Sequence, residues 1–164
     1  MSLERPSILI VEDNFEILNI LKSILSKHFN NIFTAENGEI GAHLFAVHEP
    51  DLVLTDLNMP VVGGLDFLKR IRLDGNQTPF IMVSSSSDRS DLINAMKLGV
   101  THYVEKPFTV EEVEQAVFKT LEIEIRKNNL PNMIFLFGLE SKEVSKQKKF
   151  IGLLQAVSAK KILK

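Results

Sequence analysis

Three short segments, Ile8-Leu9-Ile10-Val11, Leu52-Val53-Leu54 and Phe80-Ile81-Met82-Val83, are apolar at every position and show no inside-outside alternation. Runs of that length and composition suit strands of a parallel sheet covered on both faces. Asn31-Ile32-Phe33-Thr34 and His102-Tyr103-Val104 are weaker strand patterns. Helical spacing of apolar residues lies between them. Ile17, Ile20, Leu21, Ile24 and Leu25 recur after Asn14, and Ile40, Leu44 and Val47 recur after Asn37. Leu65, Leu68 and Ile71 follow, then Ile93 and Met96 with Lys97, and last Val113, Val117 and Leu121 after Thr109. The order is five βα units. It predicts a doubly wound parallel sheet with helices on both faces and right-handed crossovers, where ligands bind beyond the carboxyl ends of the strands.

Chain length supports one such domain with an appendage: there are 164 residues, 45% of them hydrophobic and 24% charged. The net charge of −2 conceals an asymmetry. Residues 1–125 carry 10 Lys and Arg against 19 Asp and Glu, net −9, whereas residues 126–164 carry 9 against 2, net +7. An Asn- and Pro-containing stretch near Lys127 to Asn132 marks the join, so the expected division is 1–127 as the folded domain and 128–164 as a linker and basic tail. There is no cysteine, which removes disulfide frameworks and thiolate metal sites. No apolar run reaches membrane-spanning length, and Glu12 and Asp13 interrupt the only N-terminal apolar stretch, so a cytoplasmic location is expected.

The informative polar residues fall at the predicted strand ends. Glu12 and Asp13 follow the first strand, Asp56 the third, Ser84 ends the fourth and Lys106-Pro107 follows the fifth. If those strands are neighbours, three carboxylates, a hydroxyl and an ammonium converge on one shallow pocket. Carboxylates that close repel and raise one another's pKa unless a lysine and a hard divalent cation compensate them, so the cluster predicts a metal.

These residues resemble the receiver domains of bacterial two-component response regulators. Ile8 to Asn14 is similar to the family's opening acidic-pair motif, and Leu54-Thr55-Asp56-Leu57-Asn58-Met59-Pro60 with Gly64 to its acceptor loop. Ile81-Met82-Val83-Ser84-Ser85 matches its hydroxyl-bearing strand end. Gly99 through Tyr103-Val104-Glu105-Lys106-Pro107-Phe108 matches its terminal lysine motif. Gly63 departs from the pattern, where relatives often carry an acidic or amide residue, and a looser loop is expected from it. The resemblance covers about Ser7 to Ile125. It implies a flavodoxin-like sheet of order 2-1-3-4-5, and Asp56 as acceptor of a phosphoryl group from a histidine kinase or histidine phosphotransfer protein. Mg²⁺ would be held by Asp13, Asp56 and the Asn58 backbone carbonyl, with Glu12 acting through water. Lys106 and Ser84 would contact the phosphoryl group, Ser84 and Tyr103 would form the switch, and Asn58 and Ser86 would flank the hydrolytic water. The fourth-helix, fifth-strand, fifth-helix face would be the output surface, and that face or the tail would be where a second copy pairs.

Blander readings weigh against single residues. An Asp at a strand end is most often a helix cap or turn former, and it is the joint occurrence of Asp13, Asp56 and Lys106 that reverses those odds. Ser84 to Ser87 with Asp88 also reads as a polar loop before a helix, and Tyr103 as a static strand residue. His28, His43, His48 and His102 share no metal-ligand spacing with a carboxylate. A haloacid-dehalogenase-like phosphatase would need a second Asp where Asn58 stands, and a pseudo-receiver would not need the full set of polar groups. In the tail, Phe150, Leu153, Leu154 and Val157 with nearby lysines read as a basic amphipathic helix for packing or dimerisation. At 39 residues the basic segment is short for a helix-turn-helix module, and neither a nucleic-acid nor a membrane partner is expected.

Overall fold

The computed structural model describes residues 6–85 and 89–127, with side chains described as far as Ile123. Five strands and five helices alternate: β1 (Ser7–Val11), α1 (Phe15–Leu25), β2 (Asn31–Ala35), α2 (Gly38–His48), β3 (Leu52–Thr55), α3 (Gly64–Leu73), β4 (Phe80–Ser84), α4 (Arg89–Lys97), β5 (His102–Glu105) and α5 (Val110–Lys127). All strand pairs are parallel, in the order β2-β1-β3-β4-β5. This is the flavodoxin-like arrangement expected from the sequence. The basic tail from residue 128 onward, and Ser86, lie outside the described residues. Among the described residues no helix is long and apolar enough to cross a membrane.

The apolar runs are buried on both faces because each face has its own core. Ile8, Ile10, Leu52, Leu54, Ile81, Val83 and Val104 point to α1 and α5. Leu9, Val11, Val53, Phe80 and Met82 point the other way, to α2 and α3. Period-2 alternation therefore exists in β1, β3 and β4, but both sets of side chains are apolar. Around the second core, the Phe67 ring centroid lies 5.3 Å from that of Phe80 and 6.4 Å from that of Phe45, within the range of favourable aromatic pairs. Asn14 and Asn37 start α1 and α2 by accepting hydrogen bonds from Glu16 and Ile17 and from Glu39 and Ile40.

Two helix faces differ from the expected stripes. In α2 the inward residues are Gly41 and Phe45, while Ile40 and Val47 are exposed and Leu44 is only half-buried. The helix is rotated about one position because a small residue and one large ring fill the space over Val11 and Phe67 better than three branched side chains would. In α4 only Ala95 is buried, and Ile93 and Met96 face solvent. The one buried position of α4 is a small residue, and the larger apolar side chains at neighbouring positions are left outside. In α5 the expected residues Val113, Val117 and Leu121 are buried, joined by Ala116 and Thr120.

Candidate functional site

Parallel pairing brings the strand ends together. Val11 lies opposite Thr55 in the β1-β3 ladder, and the ladder continues one step further, with the Asp56 amide donating to the Val11 carbonyl at 2.9 Å. Ser84 lies opposite Glu105 in the β4-β5 ladder, and the Lys106 amide donates to the Ser84 carbonyl at 3.0 Å. Register alone therefore sets Glu12 beside Asp56 and Lys106 beside Ser84.

The side chains complete the cluster. The Lys106 Nζ donates to Glu12 Oε2 at 2.7 Å and to Asp56 Oδ2 at 2.9 Å. Glu12 is 1% exposed and Asp56 8% exposed, so both ion pairs are largely withdrawn from water. The other oxygens are also used: Asp56 Oδ1 accepts from the Leu57 amide at 2.6 Å and the Asn58 amide at 3.4 Å, and Glu12 Oε1 accepts from the Asn14 amide at 3.2 Å. Burial, reinforced by the Asp56 charge, raises the Glu12 pKa against the opposing pull of Lys106. Burial works against charging Lys106, but its hydrogen bonds and charge pairing with Glu12 and Asp56 outweigh it and raise its pKa. Lys106 is thus held as the ammonium.

One lysine does not balance this site. Glu12, Asp13 and Asp56 each offer an oxygen within 4.8 Å of one another, with Asp13 on the exposed side. Three carboxylates against one ammonium leave two negative charges on a surface that opens to solvent through Asp13. A hard divalent cation with oxygen ligands and retained waters matches that donor set.

The loop after Asp56 is closed tightly. The Gly64 amide donates to the Leu57 carbonyl at 2.9 Å. A Cβ at Gly64 would lie 2.1 Å from the Asp56 carbonyl oxygen, and one at Gly63 would lie 2.8 Å from that of Leu57. The loosening expected from Gly63 is therefore not what the structure has: a second glycine lets the start of α3 press against the end of β3. Val61 between them is 82% exposed and left-handed at φ 70°, a strained position for a β-branched residue, with the Val62 amide donating to the Pro60 carbonyl at 2.9 Å. Neither this strain nor the Thr55 hydroxyl, which donates to the Asp56 carbonyl at 3.1 Å, is visible in sequence pattern.

Of the remaining candidates, Ser84 is 1% exposed and ends β4 as expected. Tyr103 is half-buried against the second core, and its hydroxyl donates to the Ser84 carbonyl at 3.3 Å. Asn58 is exposed on the loop leaving Asp56.

The comparisons with known proteins agree with this fold. The family model described as response regulator receiver domain matches residues 8–118. The chemotaxis protein CheY of Bacillus subtilis is 36% identical over 115 residues, covering 70% of this chain and 96% of its own. The probable transcriptional regulator ycf27 of Porphyridium aerugineum is 32% identical over 133 residues, 79% of this chain and 55% of its own. The chain therefore spans about half the length of that relative, and 27% of the length of the regulatory protein AtoC of Escherichia coli. Among solved structures, the N-terminal domain of an uncharacterized protein from Wolinella succinogenes aligns with a TM-score of 0.69 and 35% identity, over 74% of this chain and 98% of that one. With the fold, the strand-end cluster and these matches in place, the chain belongs to the response regulator receiver domain family of two-component signalling.

Proposed function

We propose that the chain accepts a phosphoryl group on Asp56 from a phosphohistidine of a sensor kinase or histidine phosphotransfer protein, in a Mg²⁺-dependent reaction. The observation that carries this reading is Lys106 bridging Glu12 and Asp56 beside Asp13. Asp13 and Asp56, with the Asn58 carbonyl, would hold the cation and Glu12 would reach it through water. When bound, Mg²⁺ would neutralise the charge on the transferred phosphoryl group.

The protein's own groups position the nucleophile. The Leu57 and Asn58 amides fix the Asp56 carboxylate at the end of β3, so that it can attack in line. A carboxylate oxygen bonds to phosphorus as the phosphorus-nitrogen bond of the phosphohistidine breaks, and the imidazole nitrogen keeps the electron pair. Lys106 is already within reach, so exchanging its Asp56 contact for a phosphoryl oxygen needs no large movement. The new group brings about −1.5 to −2 charge and three acceptor oxygens. Ser84 donates to one of them. Because Tyr103 is bonded to the Ser84 carbonyl, a shift at the end of β4 is felt on the face formed by α4, β5 and α5. That face, and the basic residues 128–164, are where a second copy or an output partner would engage.

Incubation of the full chain with Mg²⁺ and a small phosphodonor tests the reading. One phosphoryl group per chain on Asp56, absent under chelation, supports it. Continuous phosphate release at enzyme turnover would indicate a phosphatase, and no incorporation would indicate a binding-only domain.

A further inference from the structure

Helix α4 buries little of its surface. Of its nine residues only Ala95 is buried, and Ile93 and Met96 are 42% and 75% exposed. Its C-terminal end, by contrast, is held by one side chain from another element. Arg72, in the last turn of α3, directs its Nε to the Leu98 carbonyl at 3.1 Å and its Nη2 to the Thr78 carbonyl at 2.9 Å and the Gly99 carbonyl at 3.5 Å. Its Nη1 reaches the Asn76 carbonyl at 2.9 Å, and the guanidinium lies over the Phe80 ring, 5.2 Å from the centroid. One planar fork thus joins the loop entering β4 to the loop leaving α4, and stacks on the first residue of β4.

Arginine suits this task for a physical reason. The Leu98 and Gly99 carbonyls lie just past the last turn, near the negative end of the helix dipole, and a guanidinium supplies several fixed donors with a charge of the right sign. The following amides are ordered as well: Leu98 donates to Asn94, Gly99 to Met96, Val100 to Ala95, and Thr101 to Phe80. Chain order places the start of α4 near the Ser84 end of β4, and the Arg72 clamp at the opposite end of the strand.

We propose that Arg72 is the pivot of the receiver's response: it pins the C-terminal end of α4 to β4, so that a shift at Ser84 swings the N-terminal half of α4 instead of releasing the helix. This rests on the phosphoacceptor reading above and adds a positioning residue for its output. The fixed end makes the response a rotation about a defined point. Without it, the same disturbance would be dissipated as local unfolding of a helix that buries a single residue.

Residue-resolved amide exchange on the full chain, before and after phosphoryl labelling with Mg²⁺ and acetyl phosphate, tests this. In the parent, labelling should change exchange at residues 89–94 and leave Leu98, Gly99 and Val100 within about twofold. In unlabelled Arg72→Met, exchange at those three amides should rise about tenfold or more, the effect of losing one or two net hydrogen bonds. On labelling, the change in this variant should spread through the whole helix. Arg72→Lys keeps the charge and the stem but not the fork, and should follow the Met variant in direction. Unchanged exchange at 98–100 in both variants, or a labelling effect in the parent as large at 98–100 as at 89–94, overturns the proposal. Absence of phosphoryl incorporation would instead remove the reading of Asp56, and the unlabelled variants would still report whether Arg72 is the anchor.

Discussion

Replacing Lys106 with Met keeps the stem and removes the cation that, among the described residues, contacts both Glu12 and Asp56. At 2.7 and 2.9 Å, each pair corresponds to about 6 kcal/mol of Coulomb attraction at an effective dielectric of about 20. Desolvation of the buried ions offsets most of that, and removing one partner of a buried pair typically destabilises by about 3–5 kcal/mol. The Lys106 ammonium also holds the Glu12 pKa down against burial and Asp56, so its loss pushes that pKa further above 4.5. A carboxylate whose folded pKa exceeds its unfolded value binds the proton more tightly when folded. Stability is then lost as pH rises above 4.5 through the folded value. Lys106→Met should therefore be about 3 kcal/mol less stable than the parent at pH 8, and the difference should shrink as pH falls toward 4.5 and Glu12 takes up its proton. Urea denaturation in chelator at a series of pH values measures this. A pH-independent difference, or one below about 1 kcal/mol at pH 8, would refute the idea that Lys106 is the internal counter-ion of two buried carboxylates.

Asp13→Asn should weaken Mg²⁺ affinity in a direct titration, because an anionic ligand is lost; unchanged affinity would place the metal elsewhere. Val61→Asn should stabilise the protein by about 1 kcal/mol in thermal unfolding, since Asn tolerates the left-handed region and the exposed valine gives up little packing. A loss of stability would mean the valine side chain is held by contacts that outweigh its strain. Ser86→Leu should slow loss of the phosphoryl group from Asp56, by crowding the path of the hydrolytic water. Decay as fast as in the parent would end the register that places Ser86 two residues beyond the switch hydroxyl.

The fold was legible because β1, β3 and β4 each carry a run of apolar residues on both faces, as strands of a sheet covered on both sides do, and because Asn14 and Asn37 stand at helix starts. Helix rotation was less legible. In α2 and α4 the buried positions include the small residues Gly41 and Ala95, and a pattern built on large apolar residues selects the wrong face. The site's charged members could be named in advance, since the chemistry demands charge at strand ends, and register then brought Glu12, Asp56 and Lys106 into contact. The loop strain at Val61, the close approach at Gly63 and the Arg72 fork were hidden because each depends on where backbone carbonyls point, which residue type alone does not specify.

The central claim is that Asp56 is the acceptor. Intact-mass measurement of the parent and Asp56→Asn after incubation with Mg²⁺ and acetyl phosphate tests it most directly, because the amide keeps the shape of the carboxylate and lacks its nucleophilicity. The parent should gain the mass of one phosphoryl group per chain, lose it under chelation, and yield a labelled peptide containing Asp56, while Asp56→Asn stays folded and gains nothing. Equal labelling of Asp56→Asn at the same rate would contradict the assignment.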